Sequence, residues 1–403
     1  MMANQRQSLS TPPARGTRPR NRRQLIIDAA ADLFCARGYG NVSMSDVADA
    51  VAVGPSALYR HFRGKQALLA TVIEDALGSL DDALKGADDS SDLAVVLARV
   101  VLAGRTEGVL WRREVRHLTA HDRKKLQSGA RRVGDRLAQH IRRRRPDLEA
   151  VQADLLAWCA LGVANSISFH GLSMAEPGFT ALLSELIAVP LNAGARLLPA
   201  GSGESRGGMA ARSRREAILS EAAALFAEKG FSGVSVDDIG AAVGIAGPSI
   251  YNHFTSKAEI LAAAMFRGNE WLWMEFNRAC ADTPDAAEAL RRVVRSYQTF
   301  AFRNPDIVEV LTTEVSHLPE AENQRARSAQ RAYIDEWVHL VRQLNPNWTI
   351  TEARIRVQAA QIMINDVVVI PRLRTLPGVE AVLADIAVAL LGVPPIATKA
   401  GCT

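Results

Sequence analysis

The chain has 403 residues, 48% of them hydrophobic, with a net charge of +5, so it is two to three times the length of one domain. No apolar run reaches membrane-spanning length and the N-terminus has no hydrophobic signal core. Cys35, Cys159, Cys280 and Cys402 lie too far apart for a metal knuckle or a disulfide framework. These features argue against export, a membrane partner, a metal or any cofactor. They leave a reduced, cytoplasmic protein as the expectation.

Residues 1–21 read as a disordered basic arm. The first 27 residues hold six arginines and no acid, which suits either solvent or a polyanion. "RQLIIDAAADLFCARGY" then predicts a helix with Leu25, Ile26, Ala29, Ala30, Leu33 and Phe34 on one stripe, ended by Gly38. In "SMSDVADAVAVGPSALYRHF" (43–62), Ser43 and Asp46 predict a capping box on a short helix. Pro55 then opens a second helix whose first turn carries only the small Ser56 and Ala57. A short helix, a tight turn and a slim-tipped helix suit a helix-turn-helix, with Tyr59, His61 and Lys65 able to donate to phosphates at its rim. The spacing alone also fits two buried helices of a structural bundle. A long amphipathic helix follows from Lys65, "KQALLATVIEDALGSLDDAL".

Beyond it the chain stays helical. Glu114 and His117 can pair at i,i+3, and "RRRRP" (142–146) reads as a cationic helix C-terminus. Residues 197–215 lose their periodicity and gather Gly, Ser and Arg (212, 214 and 215), as a linker does.

After the linker the pattern returns. Between 33–70 and 225–262, 14 of 38 positions are identical at an offset of 192. "EVRHL" (114–118) meets "EVSHL" (314–318) at an offset of 200, so the second copy holds about eight extra residues. The period is too long for a solenoid and marks a duplicated domain.

The repeated stretch resembles the DNA-binding domain of the tetracycline-repressor (TetR) family. Its elements here are "FCARGY", "SMSDVA", "VAVG" and "LYRHFRGK", then "FAEKGF", "SVDDIG", "VGIAG" and "IYNHFTSK". The resemblance covers about 45 residues of each copy. It implies an all-α fold of two tandem units, each a three-helix helix-turn-helix domain followed by a helical ligand and dimerisation domain. The expected boundaries are 22–68 and 69–197, a linker at 198–211, then 212–260 and 261–393, and a tail at 394–403.

By resemblance, Ser43, Tyr59, His61, Lys65, Ser235, Tyr251, His253 and Lys257 meet phosphates. Pro55, Ser56, Ala57, Arg60, Gly247, Pro248, Ser249 and Asn252 face base edges. The capping Ser or Thr usual before the recognition helix is Gly54 in one copy and Ala246 in the other, and Pro248 is displaced by one position relative to Pro55. The tips therefore differ; Arg60 favours guanine and Asn252 adenine.

Family members pair to read two half-sites, so two copies imply an intramolecular pseudo-dimer on double-stranded DNA with an imperfect palindrome. A homodimer with four heads is the rival arrangement. Residues 149–170 with 178–197, and 350–370 with 379–391, are the candidate interface helices. The family's small-molecule effector points to Trp111, His117, Trp158, Asn165 and Phe169, with Tyr297, His317, Trp337, Met363 and Asn365 in the second copy. Each also fits a satisfied core position. No phosphate loop, nucleophile elbow or zinc-protease motif suggests an enzyme. A regulator in which only one head reads DNA stays open.

Overall fold

The computed structural model describes residues 22–198 and 213–395. The basic arm, Arg212, most of the linker, the end of the tail and Cys402 lie outside these residues. Among the described residues there is no strand, and each half of the chain carries nine α-helices.

In the first half these are α1 (Arg22–Arg37), α2 (Met44–Ala50), α3 (Pro55–Tyr59), α4 (Lys65–Gly86), α5 (Leu93–Ala103), α6 (Glu107–Arg113), α7 (Ala120–Arg144), α8 (Ala150–Asn165) and α9 (Gly178–Asn192). In the second they are α10 (Arg214–Lys229), α11 (Val236–Ala242), α12 (Lys257–Ala281), α13 (Ala286–Arg303), α14 (Pro305–Thr313), α15 (Glu320–Leu344), α16 (Ile350–Val368), α17 (Pro371–Arg374) and α18 (Val379–Leu390). The eight extra residues of the second copy are helix. α12 and α13 are three and seven residues longer than α4 and α5, while the loop between them is two shorter.

The chain forms two compact units. One comprises the residues up to 157 with 164–188; the other comprises 158–163 with the residues from 189 on. Each unit contains one helix-turn-helix head followed by a helical body.

The first head closes over Ile26, Ile27, Phe34, Val47, Leu58, Phe62 and Leu68, all buried. These residues lie on one side of α1 to α4, so burying them fixes how the short helices meet. Gly38 ends α1 with φ +77°, and its N–H donates to Phe34 O at 2.9 Å. The second head repeats the plan with Ile218, Phe226, Ile239, Ile250, Phe254 and Ile260.

In the first body, Arg142, Arg143 and Arg144 occupy the last turn of α7, as the "RRRRP" run predicts. Arg144 also donates to Asp88 O and Ser91 O, at 3.0 and 2.5 Å, tying the α4–α5 loop to that helix end. One expectation needs correction. Residues 150–169 (α8 and the 3₁₀ turn after it) are long and apolar enough to cross a membrane by length and composition. They are interrupted by few charges, yet 61% of the stretch is buried inside the protein, as in a core helix.

Candidate nucleic-acid interface

Each reading tip is built by two local devices. The first is the capping box. The Ser43 hydroxyl accepts from Asp46 N at 3.1 Å, while Ser43 N and Oγ both donate to Asp46 Oδ2, at 2.7 and 2.5 Å. Those hydrogen bonds from Ser43 hold the Asp46 carboxyl below its usual range. Ser235 and Asp238 repeat the arrangement, with Asp238 depressed for the same reason.

The second device is the turn. Val53 N donates to Ala48 O at 2.9 Å, wrapping the end of α2, and Ala52 stands at φ +53°. In the second head Ile245 N meets Gly240 O at 2.9 Å, with Gly244 at φ +70°. This left-handed position suits glycine, and the first head fills it with alanine.

Beyond the turn the two tips diverge. α3 has Gly54 as N-cap and Pro55 at its first position, with no side-chain cap. Pro55, Ser56, Tyr59, Arg60 and His61 are exposed, and Ala57 is half-buried. The second tip, expected as an α-helix, is a 3₁₀ helix over Gly247–Asn252 capped by Ala246. Pro248, Tyr251 and Asn252 are exposed there; Ser249 and His253 are half-buried. Tyr59 and Tyr251 have the same exposure, 56%.

Gly247, expected at the base edges, is buried. A Cβ there would lie 1.8 Å from Asp237 Oδ1. Its backbone also packs on α11, where a Cβ at Gly240 would be 2.8 Å from Ile245 O and 2.9 Å from Gly247 N.

Two further expectations change. Lys65 Nζ donates to Tyr39 O and Val42 O, at 2.6 and 2.7 Å, and sits 4.1 Å over the Tyr39 ring. Lys257 does the same with Phe231 O, Val234 O and the Phe231 ring. Burial lowers both lysine pKa values. These lysines brace the head from within, and two of the three N–H donors on each are already engaged. Likewise the hydroxyl protons of Ser43 and Ser235 go to their capping carboxylates, so that of the residues expected at phosphates Tyr59, Tyr251 and His61 are exposed with open donors.

The Glu–His pairs form, but at the junction of head and body. His117 stacks on Tyr39 at 4.9 Å and reaches the buried Glu114 at 3.4 Å. In the second unit Glu314 Oε2 accepts from Phe231 N at 3.0 Å and meets His317 Nδ1 at 3.1 Å, while Thr313 donates to Oε1 at 2.8 Å. His117 and His317 therefore couple the head to the body.

The other ligand candidates separate by unit. Trp111 and Phe169 pack against the first head's core. Trp158 falls in the second compact unit, its ring 5.4 Å from the Arg372 guanidinium. Asn165 lies over Gly108, where a Cβ would come within 1.7 Å of Asn165 Oδ1. In the second unit Tyr297 and Asn365 do line a cavity, of about 60 Å³, and Tyr297 Oη donates to Asn365 Oδ1 at 2.9 Å. Trp337 stands behind its wall, edge-on to Tyr297 at 5.8 Å, and Met363 is fully buried outside the lining. Sequence reasoning missed the lining amides of Asn269, Gln330 and Gln361 and the phenol of Tyr333. The signal that finds them is the repeat itself, since the first copy is apolar at each of these positions.

Comparison with known proteins accords with this geometry. The profile of the bacterial regulatory proteins of the tetR family matches residues 26–72 and again 218–264. The nucleoid occlusion factor SlmA of Vibrio campbellii is 28% identical over 156 residues, covering 37% of this chain and 78% of SlmA. The HTH-type transcriptional repressor KstR2 of Rhodococcus jostii is 28% identical over 127 residues, covering 28% of this chain and 61% of KstR2. Against KstR2 the chain thus spans about three fifths of the relative's length. A solved TetR-family regulator from Bordetella parapertussis aligns at 22% identity with a TM-score of 0.42, covering 45% of this chain and 95% of that one. The chain thus carries the N-terminal domain of the tetR family of bacterial regulatory proteins twice, in tandem.

Proposed function

We propose that the chain is a sequence-specific transcriptional regulator, a ligand-responsive repressor, whose two heads read the two halves of one operator as an intramolecular pseudo-dimer. The observation that carries this reading is the pair of tyrosines, equally exposed at 56%, at matching places on two independently braced helix-turn-helix heads. A phenol held outward beside a slim helix tip is a phosphate donor, and phosphate contacts set the register of the tip in the groove. Two such heads must sit about 34–36 Å apart to enter successive major grooves. The repressor assignment draws on KstR2, a repressor by name. Because Arg60 stands where the second tip has Asn252, the operator is an imperfect palindrome, with guanine favoured in one half and adenine in the other.

Sequencing genomic fragments retained by the purified protein gives the operator, and Tyr59→Ala and Tyr251→Ala then test each head. Each substitution removes a hydrogen bond to a charged group and is expected to weaken binding by about tenfold or more. Loss with Tyr59→Ala alone identifies a one-headed reader. A perfect palindrome contradicts the asymmetry, and failure to retain duplex DNA at low ionic strength overturns the reading.

A further inference from the structure

The two bodies do not offer the same interior. In the second, the cavity of about 60 Å³ is lined by α12 to α16, and its polar lining is entirely uncharged: amides, phenols and one threonine hydroxyl. Gln361 is 8% exposed, yet its Nε2 has no hydrogen-bond partner. An unmet donor nine-tenths buried at a cavity wall costs free energy until something accepts from it. The neighbouring Tyr297 phenol gives its proton to Asn365.

The first body has lost this chemistry. At the matching positions Asn269, Tyr297, Gln330, Tyr333 and Gln361 are replaced by Leu77, Leu97, Ala130, Val133 and Leu161. The one retained amide, Asn165, occupies the space that Gly108 leaves open, where the second unit has Val308.

We propose that the effector is taken up by the second unit alone, one molecule per chain, and that it is a small neutral compound with an apolar ring and one hydrogen-bond acceptor. No Asp, Glu, Lys, Arg or His lines the cavity, so an ionised ligand would be desolvated without a counter-charge. The volume admits nothing larger than a single ring and falls well short of the several hundred Å³ that larger ligands need. Val315 and Thr312 at the wall flank Glu314 and lie just before His317. An occupant would therefore press on the segment whose carboxylate holds Phe231 N and, through it, the second head. This last step rests on the reading of the chain as a DNA-binding regulator; the binding site itself does not.

Calorimetric titration of the full chain with benzyl alcohol, toluene and benzoate, without DNA, tests the proposal. Benzyl alcohol is expected to bind with one site per chain, toluene more weakly and benzoate not at all. Gln361→Leu, which installs the first unit's residue, should weaken benzyl alcohol at least tenfold while leaving toluene unchanged. Asn165→Leu should leave both as they were. Thermal unfolding of each variant checks that it folds, and Tyr297→Phe supplies a second variant expected to weaken benzyl alcohol more than toluene. Two sites per chain, benzoate binding as tightly as benzyl alcohol, an unaltered Gln361→Leu, or no saturable binding by any of the three overturns it. DNA retention measured in parallel stays intact in that event and separates this failure from failure of the regulator reading.

Discussion

The two heads share a scaffold and differ in what they show to DNA. Between residues 22 and 72 the first has six basic and four acidic side chains, a net +2. Over the matching residues 214–264 the second has four basic and six acidic, a net −2. The difference reaches the tips: Arg60, Arg63 and Ser45 in one head are Asn252, Thr255 and the exposed Asp237 in the other. Phosphate contact supplies most of the sequence-independent affinity. On our reading the first head therefore grips and the second discriminates. The internal braces, by contrast, are the same in both: Lys65 with Lys257, and Ser43–Asp46 with Ser235–Asp238. Duplication has kept these braces and the exposed tyrosines, and has let the charged groups around the tips diverge.

The strongest test of the shared scaffold lies where the heads pack differently. Gly240→Ala drives a Cβ into backbone at 2.8 Å and should destabilise the second head by about 2–3 kcal/mol, read by thermal or urea unfolding. The first head carries Ala48 at this position, fully buried, so Ala48→Gly should cost only about 1 kcal/mol. Equal effects would mean the two turns are packed alike.

The charge difference predicts a smaller effect on binding. Arg63→Thr should weaken DNA binding by about 1 kcal/mol and reduce the salt slope by about one, while Thr255→Arg should strengthen binding and steepen that slope. Titrations at several salt concentrations measure both. If the two substitutions leave the slope unchanged, the grip does not reside in the first tip.

The smallest effect concerns the turn. Ala52 at φ +53° carries strain that Gly244 does not, so Ala52→Gly should raise the stability of the first head by up to about 1 kcal/mol. Gly244→Ala has open space around its Cβ and should lower the second by a similar amount through backbone strain alone. Hydrogen exchange resolves the two heads separately.

Much of the scaffold was legible in the sequence because its signals are local. The capping pairs lie three residues apart, Gly38 terminates a periodic stripe, and Pro55 marks a helix start. The lysine braces were not legible, since Lys65 reaches carbonyls 23 and 26 residues away and an isolated lysine reads as a surface charge. Gly247 was misplaced for a similar reason. Its burial depends on Gly240 and Asp237 in the preceding helix, and the tip that carries the displaced proline is a 3₁₀ turn. The ligand candidates fared worst. Aromatic and amide residues sit equally well in a core, a junction or a cavity, and only the fold places Trp111 and His117 in the first two settings and Tyr297 in the third.

The account turns on one chain serving both half-sites. Native mass measurement of the protein bound to a duplex carrying the selected operator tests this most directly. One chain per duplex, with contacts on two successive major grooves, is the predicted result. Two chains on the same duplex, each protecting one half-site through its first head, would contradict it.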